Sequence, residues 1–252
     1  MKNTESAGAD ENMEKLFQDY ARSVQAKITL ISRRDSLPVR QAAAAMYQST
    51  VQGRNIYFFG TGHSYMLSQE IFGRAGGYAG RNFRPILEEE LSMDHLIKST
   101  FIERSIEYTD VILGIYDFQK GDTIVMTSNS GRNCLIVELA LRLKQAGLTV
   151  IAITSAGEQV ASRHPSGKKL CDVADVVIDS FSDYGDAALT LPNGERTGAM
   201  STITGAFLIN SVVVCFMEKL IANHQECPVF ASSNVDAGDA HNQDYFRDYL
   251  FR

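Results

Sequence analysis

The sequence of 252 residues lacks any run of lysine or arginine, and its acidic residues outnumber its basic ones, 30 to 24. The formal net charge is −6. Because nucleic acids and anionic membrane surfaces attract basic patches, this charge balance argues against both as partners. The chain also lacks a stretch rich in proline, glycine or serine that would separate two domains. We therefore expect one folded unit.

Cysteine is scarce, and none of the four cysteines belongs to a CxxC pair: Cys134, Cys171, Cys215 and Cys227. This usage is typical of reduced thiols, and no spacing resembles a structural zinc site. Residues 1–15 are polar and acidic, where a secretion signal would be basic and then apolar. We expect a cytoplasmic protein that needs no metal ion and no cofactor.

Long apolar runs are also missing. The most apolar segment, residues 205–217, is interrupted by Asn210 and Ser211. A transmembrane helix needs about 20 consecutive apolar residues. We expect this segment to be a buried core helix or an interface helix, and we expect no membrane partner.

Short apolar runs alternate with helical patterns along the chain. The runs predicted as strands are residues 55–60, 83–89, 122–128, 148–155 and 174–180. Helical spacing covers about 12–50, His63 to about Arg74, 133–146 and 198–221. Strands that are apolar throughout and alternate with helices indicate a parallel sheet covered on both faces. The prediction is one doubly wound α/β sandwich over residues 12–252 with an N-terminal helical extension, preceded by a disordered tail at residues 1–11.

The first predicted strand ends in the sequence FFGTGHSYM, and we call residues 60–65 the first loop. Gly60 and Gly62 allow the backbone to approach a ligand closely, and Ser64 opens a helix. Helix N-termini have free N–H groups and a partial positive charge. A serine at such a place either caps the helix or contacts an anion.

The third predicted strand leads into TSNSGRN, and we call residues 128–133 the serine–glycine loop. Its candidate phosphate-binding side chains are Ser128, Asn129, Ser130 and Asn133, again at a helix start. In parallel sheets, ligands bind at the carboxyl ends of strands near a switch in strand order. Two such loops favour a phosphate cradle built without lysine, although capping alone is the simpler alternative.

Two nucleotide motifs are excluded. The GxGxxG fingerprint fails because Tyr65 occupies its third glycine position, although residues 88–90 could supply the ribose-binding acid. The GxxxxGK[ST] phosphate loop is absent. A single phosphate monoester fits better than a pyrophosphate, because the donors are spread over two loops.

At these residues the chain resembles the sugar isomerase (SIS) domain, through FFGTGHSYM, IVMTSNSGRN and TVIAITS in this order. The segments SRHPSGKKL, GDA (185–187) and SSNVDAGDAHN are similar to a bacterial branch of that family grouped with phosphosugar isomerases. The resemblance runs from about residue 12 to the C-terminus. It implies a three-layer α/β/α sandwich with a five-stranded parallel sheet. It also implies homodimers or tetramers with sites near subunit interfaces.

The resemblance assigns the phosphate of a sugar phosphate to Ser64, Ser128, Ser130 and Asn133. Phosphoheptose isomerases of this family place a metal-binding histidine at the position of Glu70. Arg74 occupies the second metal position here. A zinc-dependent isomerase is therefore not expected.

Acid–base catalysis of aldose–ketose isomerisation through an enediol needs a base and an acid. Our candidates are His63 in the first loop, Glu70 six residues beyond Ser64, and His241 in AGDAHNQ near the C-terminus. Each also has an ordinary interpretation: a polar helix start, an ion-paired glutamate and a helix cap. Glu103 and Glu107 lie four residues apart, so we expect them on one helix face, where one could reach the sugar or both could be solvated.

The sequence thus predicts a phosphosugar-binding protein that interconverts an aldose phosphate and a ketose phosphate. Two alternatives remain open. One is a sensor or regulatory protein that binds a sugar phosphate without catalysis. The other is a lyase or deaminase that acts on an amino-sugar phosphate with the same cradle.

Overall fold

The computed structural model describes residues 2–34, 36–157 and 159–250. The α-helices in this part of the chain are α1 (Lys2–Arg34), α2 (Ser36–Val51), α3 (Tyr65–Glu70), α4 (Leu96–Arg104), α5 (Tyr108–Ile115), α6 (Cys134–Gln145), α7 (Leu170–Val173), α8 (Ser201–Ala222) and α9 (Gly238–Leu250). The strands are β1 (Ile56–Gly60), β2 (Phe83–Pro85), β3 (Thr123–Thr127), β4 (Thr149–Thr154), β5 (Val176–Asp179), β6 (Leu189–Thr190) and β7 (Arg196–Thr197). Short 3₁₀ turns cover Gly62–Ser64, Glu89–Leu91 and Tyr184–Asp186.

The main sheet has five parallel strands in the order β2-β1-β3-β4-β5. Each of the five predicted strands is present, and helices cover the sheet. The predicted three-layer α/β/α sandwich is therefore confirmed. The short strands β6 and β7 form a separate antiparallel pair.

Alternation of side chains along β1 explains why both faces of the sheet are apolar. Ile56 and Phe58 belong to the core cluster formed with α2 and α8, while Tyr57 and Phe59 belong to the cluster formed with α5 and α6. Successive side chains of a strand point to opposite faces. A strand covered on both faces thus reads as one continuous apolar run.

Helix α8 is longer than the apolar segment that marks it in the sequence. With 22 residues and a mean hydropathy of 1.7 over its best window, it is long and apolar enough to cross a membrane. Core helices of soluble proteins meet the same criteria. Here Leu208, Val212 and Phe216 are buried in the cluster that α8 shares with α2, so packing explains the apolar character of this face.

Two helices differ in length from the prediction. Helix α1 begins at Lys2, so residues 2–11 are helical where the sequence predicts a disordered tail; Met1 lies outside the described residues. The stretch contains Lys, Glu and Ala, which have high helix propensity. Helix α3 ends at Glu70 rather than near Arg74. Gly73 and Gly76, with φ of 62° and 76°, have left-handed backbones that a helix cannot contain.

Candidate functional site

The strand order places a switch point between β1 and β3. The chain passes from β1 to β2 on one side and then crosses to β3 on the other. Gly60 at the end of β1 pairs with Thr127 at the end of β3, so the two strands finish level with each other. The first loop and the serine–glycine loop therefore leave the sheet side by side, where ligands bind in sheets of this type.

The first loop turns too tightly for side chains at its glycines. A Cβ at Gly60 would lie 2.4 Å from the carbonyl oxygen of Ser64. Gly62 is buried, has φ of 59°, and faces the side chains of Met93 and Ser99. The turn that results leaves His63 exposed and Ser64 partly buried at the start of α3.

Hydrogen bonds fix the serine–glycine loop to itself and to β4. The Ser128 hydroxyl accepts from the Gly131 N–H at 3.2 Å. The carbonyl oxygen of Asn129 accepts from the Ser155 N–H at 2.8 Å and from the Thr154 hydroxyl at 3.1 Å. The loop is thus held in place before any ligand arrives, which lowers the entropic cost of binding.

A narrow recess of about 10 Å³, room for about one water molecule, lies where the two loops meet the start of α8. Its lining residues are His63, Ser64, Leu67, Thr127, Asn129, Ile153, Ser180, Ser201, Thr202 and Gly205. The side-chain oxygen of Asn129 is buried and has no hydrogen-bond partner among the described residues. Buried polar atoms in native proteins are normally paired, so this oxygen is available to a ligand hydroxyl.

The start of α8 is occupied by a carboxylate of the protein itself. Asp186 accepts hydrogen bonds from the backbone N–H groups of Met200 at 2.9 Å and Ser201 at 2.7 Å, and from the Ser201 hydroxyl at 2.6 Å. This carboxylate satisfies the helix start and its partial positive charge. A ligand phosphate would be repelled here, which leaves the two loops as the better anion site.

A model of the SIS domain matches residues 19–155, a range that contains both loops. The chain belongs to the SIS-domain family. It is 36% identical over 238 residues to a UPF0309 protein of Halalkalibacterium halodurans, covering 93% of this chain and 98% of that protein. It is 34% identical over 240 residues to a UPF0309 protein of Caldanaerobacter subterraneus, covering 92% and 97%. The resemblance inferred from the loop sequences is thereby confirmed.

Solved structures share the fold of this SIS protein at low sequence identity. A phosphoheptose isomerase from Neisseria gonorrhoeae has a TM-score of 0.55 and 17% identity, covering 82% of this chain and 98% of that chain. A phosphoheptose isomerase from Francisella tularensis has a TM-score of 0.53 and 14% identity, covering 81% and 97%. These similarities support the SIS fold.

Of the predicted phosphate-binding residues, Ser64 and Asn129 line the recess of this SIS domain. The others are not among its lining residues: Gly62, Ser128, Ser130 and Asn133. Asn133 is at the N-cap of α6, and its side-chain oxygen accepts from Arg163 Nη1 at 2.6 Å. Ser128 is used within the loop, as described above.

Sequence reasoning missed four residues with hydroxyl groups that line the recess: Thr127, Ser180, Ser201 and Thr202. A signal for them existed. The predicted strand at 174–180 ends in Ser180, and the long apolar helix begins at Ser201. Treating every strand end and helix start as part of one edge of the sheet would have included them.

Of the three catalytic candidates, only His63 lines the recess. Glu70 accepts a hydrogen bond from Asn210 Nδ2 at 3.0 Å and forms an ion pair with Arg74, so it lies in the contact between α3 and α8. His241 is exposed on α9, and its Nε2 is 2.9 Å from the carbonyl oxygen of Val229. The catalytic roles of Glu70 and His241 stay predictions from the sequence.

Glu103 and Glu107 do not share a helix face, which corrects the expectation from their spacing. Helix α4 ends at Arg104, because Ser105 is extended with ψ of 125°. The Ser105 hydroxyl accepts from the Tyr108 N–H at 3.3 Å, so it caps the start of α5. Glu107 is exposed in the connection, whereas Glu103 is partly buried on α4.

No group of three or more histidine, cysteine, aspartate or glutamate side chains is arranged to hold a metal ion within the described ranges.

Proposed function

We propose that this SIS protein binds a sugar phosphate over the recess between its two loops and interconverts the aldose and ketose forms. The observation that carries the proposal is the recess at the β1/β3 switch point, which combines His63 with hydroxyl and amide groups from both loops and α8. Phosphate and sugar hydroxyls are both recognised by such groups. The structural similarity to phosphoheptose isomerases points in the same direction.

Charge supports a phosphate near the loops. The first turn of α6 directs free N–H groups toward the serine–glycine loop, and the partial charge of a helix start favours an anion. Arg163 is hydrogen bonded to Asn133 at that same helix start. Asp186 at the start of α8 disfavours an anion there. The phosphate therefore belongs beside α6, with the sugar hydroxyls directed toward Asn129, Ser180 and Thr202.

The experiment has two stages. A thermal-shift screen with hexose, heptose and amino-sugar phosphates identifies a ligand, with the unphosphorylated sugars as controls. Ser64→Ala should weaken binding about tenfold, because a charge-assisted hydrogen bond contributes about 1.5–3 kcal/mol. Ser32→Ala, an exposed serine on α1, should leave binding unchanged. The proposal fails at this stage if no sugar phosphate raises the melting temperature.

Proton exchange then tests catalysis. Incorporation of deuterium at C2 of the bound sugar in heavy water reports enediol formation. Exchange together with ketose formation supports the isomerase. Release of ammonia or of a substituent, without ketose formation, would instead identify a deaminase or lyase.

One observation favours the sensor as a second candidate function. Among the residues that line the recess, His63 has the only side chain suited to moving protons near neutral pH, and no carboxylate is included. A pure binding protein needs none. Tight binding of a sugar phosphate with no exchange at C2 would support the sensor and contradict the isomerase.

We also propose that the protein is a homo-oligomer that uses the outer face of α8. Val214 and Ile221 lie two helical turns apart on that face and are 64% and 58% exposed. Apolar side chains of this size, repeated along a helix, favour contact with another apolar surface. Sedimentation equilibrium should show a dimer or tetramer, and Val214→Asp should shift the protein to monomer. A monomeric wild type would contradict the proposal.

A cytoplasmic location fits the same picture. The cysteines Cys134, Cys171, Cys215 and Cys227 are all free thiols. Free thiols are typical of reducing compartments.

A further inference from the structure

A groove of about 420 Å³ lies at the edge of the main sheet that β2 forms. Its lining comes from β2, the start of β1, the segment after α3 and the end of α5. Small-molecule sites typically have volumes of about 300–1,000 Å³ and combine apolar walls with a few polar groups. The groove and the recess have no lining residue in common, so the groove is a separate candidate site.

Two opposite charges line the groove, Arg84 on β2 and Asp117 just beyond α5, and Tyr57 lies between them. Tyr57 pairs with Arg84 in the register of β1 and β2, so the two side chains leave the same face of the sheet. The Tyr57 hydroxyl donates to the carbonyl oxygen of Asp117 at 3.1 Å. One buried tyrosine side chain thus separates the strand that carries Arg84 from the backbone of Asp117. Both charges can therefore reach one small ligand.

The guanidinium group of Arg84 is available to a ligand. The side chain is partly buried, and it forms no hydrogen bond or ion pair with any residue that the structure describes. Arginine side chains that are removed from water are normally paired. The planar fork of N–H donors in arginine matches the two oxygens of a carboxylate. A carboxylate is therefore the ligand group that Arg84 favours.

Asp117 restricts which carboxylates the groove can accept. Its own carboxylate is exposed and accepts a hydrogen bond from the side chain of Gln119. Arg84 and Asp117 form no ion pair with each other in the described ranges. A ligand with only a carboxylate is attracted by Arg84 but repelled by Asp117. A ligand with a carboxylate and an ammonium group on adjacent atoms satisfies both charges.

Much of the remaining lining is apolar or aromatic. Phe72 and Ile115 are 42% and 55% exposed, which is high for side chains of this kind. The rings of Tyr57 and Tyr116 meet edge to face with their centres 6.3 Å apart. An apolar ligand side chain placed here would remove Phe72 and Ile115 from water, and burial of apolar area favours binding.

A peptide strand fits this edge of the sheet poorly. Pro85 has no N–H group, and the Phe83 N–H already donates to the carbonyl oxygen of Gly80 at 3.2 Å. Peptides that bind along a sheet edge depend on main-chain hydrogen bonds. The groove is therefore better suited to a free small molecule than to a peptide.

We propose that this groove binds a free α-amino acid with an apolar side chain, a ligand distinct from the sugar phosphate proposed for the recess. Arg84 binds the carboxylate, and Asp117 binds the ammonium group. Phe72 and Ile115 cover the apolar side chain. The ligand thus carries one group for each of the three kinds of lining in the groove.

Isothermal titration calorimetry with the full chain tests the chemistry of the ligand. The probes are L-phenylalanine and L-leucine, together with 3-phenylpropionate, which lacks the ammonium group, and phenethylamine, which lacks the carboxylate. We expect at least one of the two amino acids to bind with a Kd of about 1 mM or lower. Each of the two incomplete compounds should bind at least about tenfold more weakly than L-phenylalanine, because it leaves Asp117 or Arg84 unpaired.

Variants locate the ligand. Arg84→Gln should weaken binding of L-phenylalanine at least about tenfold, whereas Asp117→Asn should weaken it about threefold or more, because Asp117 is exposed to water. The matched control is Arg33→Gln, which changes an exposed arginine at the end of α1 and should bind like the wild type. Ile115→Ser changes an exposed side chain, so it provides a second test if Arg84→Gln does not fold; it should also weaken binding.

Any of three results would overturn the proposal. The first is the absence of binding by both amino acids. The second is binding of 3-phenylpropionate as tight as that of L-phenylalanine, which would show that the ammonium group is not recognised. The third is unchanged binding in Arg84→Gln or in Ile115→Ser, which would place the ligand elsewhere. Because the groove and the recess share no lining residue, none of these results bears on the sugar phosphate.

Discussion

The serine–glycine loop can be tested at Gly131, where two separate effects oppose any side chain. Gly131 has φ of 58°, and a Cβ would lie 2.9 Å from the Thr154 hydroxyl and 3.2 Å from the Leu170 Cβ. The left-handed backbone costs a residue other than glycine about 1–2 kcal/mol. Crowding in a packed region adds about 1–3 kcal/mol. We expect Gly131→Ala to lower the free energy of unfolding by about 2–5 kcal/mol.

Gly53 provides the matched control. Its φ is 68°, but no atom lies within 4 Å of the Cβ position. Gly53→Ala should therefore lower the free energy of unfolding only by the cost of the left-handed backbone. For a protein of this size each kcal/mol shifts the melting temperature by about 2–4 °C. Calorimetry should show a fall of about 4–20 °C for Gly131→Ala and of about 2–8 °C for Gly53→Ala.

The same pair of variants connects the fold to the site. Because Gly131 packs against Thr154, a displaced loop should also weaken binding of a sugar phosphate, by about tenfold or more. Gly53 lies after α2, away from the recess, so its variant should bind normally. Equal stability and equal binding in the two variants would refute the claim that close packing fixes the loop.

Three further predictions concern stability. Asp186→Ala removes the cap of α8, so urea denaturation should show a loss of about 1–2 kcal/mol. Asn242 is buried, and its amide bonds both the N–H and the carbonyl of Ala231, at 2.9 and 2.8 Å; Asn242→Ala should therefore cost about 1–3 kcal/mol. Burial raises the pKa of Glu103 in the folded protein above its ordinary value of 4.5. The free energy of unfolding of the wild type therefore falls as pH rises from 4.5 through the raised pKa. Glu103→Gln should remove this loss, so that it matches the wild type at pH values near 4 and is more stable at pH 7; an equal difference at both pH values would contradict the shift.

The strands and the two loops could be predicted because the relevant signals are local. A strand such as β3 is apolar at every position since both faces of the sheet are covered, and polar residues begin where it ends. Glycine at positions 60 and 131 marks backbone that approaches its neighbours too closely for a side chain. Each of these features can be recognised from residues that are neighbours in the sequence.

The chemistry of the site was harder to predict because it depends on contacts between distant residues. The capping of α8 joins Asp186 to Ser201, fifteen residues later, with a hairpin between them. Glu103 and Glu107 look equivalent in a helical pattern, yet the helix ends between them at Ser105. The sequence left Glu70 either a base or an ion-paired glutamate, and its partner Asn210 lies 140 residues away in the chain.

The position of the phosphate is the most direct test of the account, and a crystal structure with a bound sugar phosphate would reveal it. The account predicts phosphate oxygens within about 2.7–3.2 Å of the N–H groups of the serine–glycine loop, with Ser64 also in contact. The sugar should lie over the recess, with a hydroxyl directed toward Asn129. A phosphate bound elsewhere, for example in the groove beside Arg84 and Tyr116 at the opposite end of the sheet, would contradict it.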